Sequence, residues 1–449
     1  MPAHPAASPA ASASPAGPLD EETADAPSYD RRRAWLITAM IVTFMVINFA
    51  DKAVLGLAAV PIMDELDISH STYGLIASSF FLLFSLSGLV VGFLSARISS
   101  RTLLFVMTLT WAVAQLPVLV VAAVPTLIAG RVLLGAAEGP AASMSMHALY
   151  KWYPAHRRGL PSALQISGAA LGTLISAPVL TWLITEHGWR YAYGALAAVS
   201  AVWALVWWRI GHDGPYDEAR PARPGKQAPI TARLPYRTIL LTGTVLGSIS
   251  SAFGASWALA LSQAWLPSYL RTELGMSAGA AASTISIVSA FSLVLLLAVS
   301  PLMDALKSRG VTSRWSSGAT QGIAVCVAGC AMAAFPFADG NPLRLLLIGL
   351  AFGTVAVAIP LHYMTAAEVV PTAQRGAVFG IVAATGTLPG LVAPSLTGHL
   401  VDAADSTASG YTAAFLVTAV VMVLTGLLAV VCIRPERDAQ RLEPAGPRP

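Results

Sequence analysis

The 449-residue chain is 55% hydrophobic and only 11% charged, with a mean hydropathy of +0.66; an ordinary soluble domain carries about 25% charged residues. That balance excludes a disordered chain, a soluble enzyme of ordinary surface and a nucleic-acid binder, even at a net charge of +4 and an isoelectric point of about 9.0. Three cysteines are too few for a disulfide scaffold, and Cys326, Cys330 and Cys432, inside or at the end of apolar runs, read as small buried apolar residues.

In chain order, the first thirty residues are rich in Ala, Pro and Ser and then acidic (Asp20, Glu21, Glu22, Asp25, Asp30). They hold no apolar signal-peptide core, and 1–33 reads as a disordered cytoplasmic tail closed by Arg31, Arg32 and Arg33. Twelve stretches then approach the roughly 20 apolar residues of a membrane-crossing helix: 34–60, 71–96, 102–123, 125–150, 158–184, 188–211, 238–266, 279–303, 316–337, 342–369, 376–401 and 410–433. Glycines spaced four apart (Gly88/Gly92, Gly135/Gly139, Gly168/Gly172, Gly243/Gly247, Gly349/Gly353, Gly386/Gly390) allow close helix packing in lipid.

With the N-terminus inside, the cytoplasmic segments hold twenty-two Lys and Arg, and the outer ones only Arg190, Arg271 and Arg344. Such a bias sets orientation, with both termini cytoplasmic, and accounts for the basic isoelectric point. The proline-rich segment 212–237 reads as a cytoplasmic linker between bundles at 34–211 and 238–434, with a short tail at 435–449. A repeat supports the division: Pro154, Arg158 and Gly159 recur as Pro371, Arg375 and Gly376, 217 residues later. The loops after the second and eighth spans also match, through Arg97 in one and Asp304 and Arg309 in the other. The fold expected is an all-α membrane protein of two pseudo-symmetric six-helix bundles, rocking about a midplane site.

Ionisable residues inside a span are costly and usually functional. Asp51 and Lys52 lie about 24 Å along the first span at 1.5 Å per residue. Arg131 and Glu138, seven residues apart, share a face of the fourth, with Gly135, Ala142 and Ser145. Two cations, Lys52 and Arg131, suit a substrate carboxylate; two carboxylates, Asp51 and Glu138, suit protons. Asp51 is expected to hold Lys52 charged while the site is empty. Asn48 sits one turn before them, and Gln165 and Gln263 offer amides to substrate hydroxyls. The bland readings are a snorkelling Asp51–Lys52 pair, a structural Arg131–Glu138 pair and glutamines as helix–helix glue. Phe80, Phe81, Phe84 and Trp257 line an apolar wall or face lipid; His147 and His362 sit at helix ends.

Over about 34–434 the chain resembles the major facilitator superfamily, and within it the anion:cation symporters. That family includes carriers of sugar acids and aromatic acids in bacteria and of glutamate and sialic acid in animals. The likeness is carried by Asn48-Phe-Ala-Asp51-Lys52, Arg131 through Glu138-Gly139-Pro140, Lys151-Trp152-Tyr153-Pro154 with Arg158-Gly159, and Gly188-Trp189-Arg190. It implies alternating access and proton- or sodium-driven uptake of an organic anion. Asp51 and Glu138 match the coupling carboxylates and Arg131 a basic group near the anion; Arg97, Arg101, Asp304 and Arg309 fall on the gating loop motif. The chain departs from the pattern in carrying Lys52 where members often have Arg, and Ala96 and Ser99 where the loop motif has Asp and Gly.

The expectation is therefore a monomeric proton-coupled importer of a sugar acid or other carboxylate in the cell membrane. Its partners are the bilayer, the anion and protons; it needs no cofactor, metal or nucleic acid. The nearest rival is a proton-antiport exporter of a drug or secondary metabolite, with an incomplete signature, since Ala177 rather than Gly precedes Pro178. A membrane enzyme built on Gly254-Ala-Ser256, or a sensor, is more distant.

Overall fold

A computed structural model describes residues 30–95, 97–154, 157–216, 234–371 and 374–442. The expected tail over 1–29, most of the linker (217–233), Ala96 and residues 443–449 lie outside the described residues. Those described form helices joined by turns, with no strand among them. Eleven helical segments are long and apolar enough to cross a membrane.

In chain order the crossings are α1 (Arg31–Leu57), α2 (His70–Gly92), α3 (Ser100–Val120), α4 (124–150), α5 (Gly159–His187) and α6 (Trp189–Ile210). They continue as α7 (Gly243–Ala264), α8 (Ala278–Ser308), α9 (Arg314–Phe337), α10 (Asn341–Val369), α11 (Arg375–Ala403) and α12 (Thr407–Cys432). The twelfth crossing, α4, is two pieces, Val124–Glu138 and Ala141–Tyr150, interrupted at Gly139–Pro140. Proline has no N–H to continue the ladder. A periodicity reading passes straight through that break.

Two segments expected to be tails are partly ordered. Asp30 caps α1, its carboxylate accepting from the N–H groups of Arg32 and Arg33 at 3.1 Å each, so the helix begins at Arg31. Pro435–Leu442 is a short helix whose Asp438 accepts from the Thr244 N–H and hydroxyl at 2.8 Å each. That carboxylate serves the positive end of α7. The cysteines are less buried than expected. Cys330 is exposed and Cys326 and Cys432 half-buried, because helices in lipid need no single water-free centre and turn apolar side chains outward.

Four glycine pairs make the predicted close contacts, most tightly in α4, where a Cβ on Gly135 or Gly139 would overlap the carbonyl oxygens of Phe80 and Phe84 in α2. Gly92 and Gly349 face open space instead.

Between the six-helix halves, α2 packs on α11 and α5 on α8. At the end away from the termini the contact is tight. A Cβ on Gly56 would overlap the Gln263 carbonyl, and one on Gly398 the His70 carbonyl. The Tyr73 hydroxyl donates to both Leu55 O (3.0 Å) and Ala264 O (3.1 Å), and the Trp265 indole donates to Pro394 O at 2.9 Å. Asp402 of α11 accepts from the N–H groups of His70 and Ser71 at 3.2 and 2.7 Å, capping α2 from the opposite half. At the terminal end, Gly92, Gly159, Gly376 and Gly380 have no neighbour within 4 Å of an added Cβ. The halves meet firmly at the far end and loosely at the terminal end.

Candidate functional site

The site is built on α1. Asn48 and Lys52, four residues apart, share one face, whereas Asp51 is turned about 100° from Lys52. The Lys52 ammonium therefore reaches α4, 3.1 Å from Glu138 Oε2, and donates to Asn48 Oδ1 at 2.5 Å. The Asn48 amide donates to the same Glu138 oxygen at 3.0 Å. Asp51 points to α3 and accepts from Gln115 Nε2 at 3.2 Å. The expected Asp51–Lys52 pair is thus replaced by Lys52–Glu138, because successive helical residues cannot share a face.

Arg131 Nη1 lies 3.5 Å from the main-chain oxygen of Asp51, and its guanidinium stands 4.6 Å over the Phe80 ring. Lys52 stands 4.5 Å over Phe49 and 5.6 Å over Phe84. Phe80 and Phe84 therefore face the cations rather than lipid, whereas Phe81 packs against Gly390. Asn48, Asp51, Lys52, Gln115, Arg131 and Glu138 are all buried. Among the described residues, Glu138 Oε1, Asp51 Oδ2, Gln115 Oε1 and Arg131 Nε are buried without a hydrogen-bond partner. Such orphaned atoms are costly and mark a place where a ligand, water or proton enters.

The remaining predicted residues lie elsewhere. Gln165 donates to Ser145 Oγ at 2.8 Å and Ala142 O at 3.2 Å, holding α5 to the second piece of α4. Gln263 is half-buried, with its carbonyl against Gly56. Trp257 donates to Thr418 Oγ1 at 3.1 Å. Arg101 bonds the Trp208 carbonyl and stacks on its ring at 4.5 Å, inside its own half. Arg97, Asp304 and Arg309 are exposed, without an ion pair among the described residues; Lys307 and Glu368 pair at 2.6 Å instead. Ser99 caps α3 through the Thr102 N–H.

Sequence reasoning passed over three groups: Gln115, the orphaned Tyr193 hydroxyl, and Glu65, which bonds Arg190 at 2.5 Å and the Trp189 indole at 2.6 Å. An amide in the middle of an apolar run was the available signal for Gln115. Glu65 follows α1 on the short helix Ala59–Leu66. The Arg190 guanidinium, and then the Trp189 N–H, hold its carboxyl below the usual range.

The sequence model of the Major Facilitator Superfamily matches residues 39–359 and 314–449. The chain belongs to the major facilitator superfamily. Its curated relatives are named as transporters, and the chain is a transporter rather than an enzyme. This superfamily chain is 25% identical to a hexuronate transporter of Bacillus subtilis (strain 168) over 414 residues, 87% of this chain and 92% of that one. It is 24% identical to a D-galactonate transporter of Escherichia coli O6:H1 over 82% of this chain and 89% of that one. In fold it is similar to a bacterial homologue of the human lysosomal transporter Spinster, in an inward-facing, unoccupied conformation (TM-score 0.74, 15% identity, 91% of this chain and 99% of that one). It is also similar to a D-xylose–proton symporter (TM-score 0.72, 16% identity, 92% and 99%).

Proposed function

We propose that this chain is a proton-coupled importer of small organic anions, sugar acids foremost, working by alternating access. The observation that carries the reading is the charge balance at the site. Lys52 and Arg131 supply two positive charges, Asp51 and Glu138 two negative ones, all inside a span and buried. An arriving carboxylate would leave one buried negative charge uncompensated, at a cost of several kcal/mol. A proton on Glu138 removes that excess and releases Lys52 to the anion. Substrate and proton then each favour the other's arrival, which is coupling in the thermodynamic sense. Asp51, held by Gln115 and beside Arg131, is a second proton carrier on the same logic. The names of the hexuronate and D-galactonate relatives support the substrate class.

The excess of Lys and Arg at the terminal end supports placing that end and both termini in the cytoplasm. The tight far-end contact then makes this conformation inward-facing.

Glu138→Gln in proteoliposomes tests the proposal. The variant is expected to lose uphill accumulation of a sugar acid under a pH gradient while keeping counterflow exchange, which needs no net proton release. Uphill accumulation by Glu138→Gln would remove the role.

A further inference from the structure

The far-end contact between the halves holds a titratable pair that the buried charge cluster does not use. His70 is the first residue of α2, in one half, and Asp402 lies one residue from the end of α11, in the other. His70 Nδ1 is 3.0 Å from Asp402 Oδ1, and the Ser71 hydroxyl donates to Asp402 Oδ2 at 2.5 Å. Together with the His70 and Ser71 N–H groups, these fix the carboxylate from the opposite half. The face of the His70 ring stacks on Trp265, also of the second half, at 5.9 Å between centroids. The His70 and Asp402 side chains keep 29% and 27% of their surface accessible, so solvent protons reach the pair.

We propose that His70 and Asp402 form a pH-sensitive latch, in which protonation of His70 favours the conformation closed at this end. Histidine changes charge between about pH 8 and about pH 5. A neutral imidazole offers a carboxylate only a dipole, and only in one tautomer; an imidazolium donates from both nitrogens and brings a unit positive charge. That charge is attracted by the Asp402 carboxylate and by the face of the Trp265 indole. Both partners belong to the opposite half, so both attractions are lost when the halves part here. A proton therefore binds the closed form more tightly, and by linkage acid populates that form. The other titratable groups on the elements around His70 are engaged elsewhere or turned to solvent. His399 Nδ1 is 2.9 Å from Ser395 O, Glu65 pairs with Arg190, and Glu273 accepts from the Thr272 hydroxyl. The Tyr73 and Tyr411 hydroxyls are bonded to main-chain oxygens and to Ser268 Oγ. Asp64, Asp67 and Asp405 are exposed, and neither they nor Arg271 form an ion pair among the described residues. In the proposed orientation this end faces outside, so external acid restrains the opening through which an anion enters.

Double electron–electron resonance on the full chain in nanodiscs tests this. Nitroxides on Val121→Cys and Ala408→Cys, exposed positions at this end of the two halves, report its opening in a parent chain whose Cys326, Cys330 and Cys432 are changed to Ser. From about pH 8 to about pH 5, the ratio of closed to open molecules is expected to rise about threefold more in the parent than in the same chain with His70→Gln, the scale of a partly exposed ion pair. Both chains keep Asp51, Lys52, Arg131 and Glu138, so the comparison subtracts the pH response of the buried cluster. Asp402→Asn keeps an oxygen for the N–H groups and is expected to lose most of the same increment. Equal pH responses in the parent and the His70→Gln chain overturn the proposal. A pH response of the parent that is undiminished in roughly 1 M potassium chloride also overturns it, since salt screens a pair at the rim; that measurement needs no change at either residue.

Discussion

Asp51 and Lys52 are sequence neighbours that answer to different helices, one to Gln115 on α3 and the other to Glu138 on α4. The four charges were legible because apolar spans leave so few of them. Their pairing was not, since it depends on which face of α1 meets which neighbour. Lys52→Gln leaves the Glu138 carboxylate with only the Asn48 amide. Removing one partner of a buried ion pair costs about 3–5 kcal/mol. The variant is therefore expected to raise the KM for anion uptake at least tenfold and to move the pH optimum. Lys52→Arg keeps the charge and is expected to retain transport, with an affinity altered by the planar fork. Uptake measured against pH in both variants checks this; wild-type kinetics in Lys52→Gln would leave the anion to Arg131 alone.

Glu65 makes a separate prediction. Its carboxyl is held below the ordinary range by Arg190 and Trp189. Its contribution to stability is therefore present above the unfolded-state value, about 4.3, and is lost as pH falls through the lower folded-state value. The thermal stability of the wild type is expected to exceed that of Glu65→Gln at neutral pH, and the gap to close in acid. A gap that does not change with pH would show that packing, not charge, matters there.

Among the elements, α4 shows most clearly what spacing alone conveys. Gly135 and Gly139 predicted a close approach, and the carbonyls of Phe80 and Phe84 make it. The same contact sets Phe80 under Arg131. Gly135→Ala forces a methyl group into a main-chain oxygen, and overpacking of this kind costs roughly 1–3 kcal/mol. A lower melting temperature in detergent is expected, together with impaired uptake. Gly349→Ala, which meets open space, is the control and is expected to change neither. The interruption at Gly139–Pro140 was written in the sequence as a proline, but the apolar pattern around it reads as one uninterrupted helix. Gly92 and Gly349 carry the same spacing as the packed pairs without a neighbour, since spacing says nothing about which face meets a partner.

On the scale of the whole molecule, the twelve crossings and the 217-residue repeat were legible because membrane length and internal similarity leave direct marks. Which end is closed was not. Two arrangements of the same halves differ in a few contacts at their rims, and no residue pattern records that balance. Asp402 is one such contact: nothing in its local sequence shows that it caps α2 from the other half. Asp402→Ala is expected to speed amide hydrogen exchange in residues 70–73 several-fold, with little change in α9, as the far-end contact opens more often. Exchange unchanged at 70–73 would mean that the tight backbone packing at Gly56 and Gly398 suffices to keep the far end shut.

The matched charges around Asn48 also bear on the membrane potential. A unit charge driven across the bilayer gains or loses about 2.3 kcal/mol per 100 mV. With two positive and two negative side chains, the empty carrier moves no net side-chain charge when it reorients, so a voltage neither hastens nor retards its return. A monoanion travelling with one proton preserves that neutrality. On the proposed coupling, a second proton, on Asp51, makes the loaded step carry current with a monoanion, so the current measured per monoanion taken up is expected to count its protons.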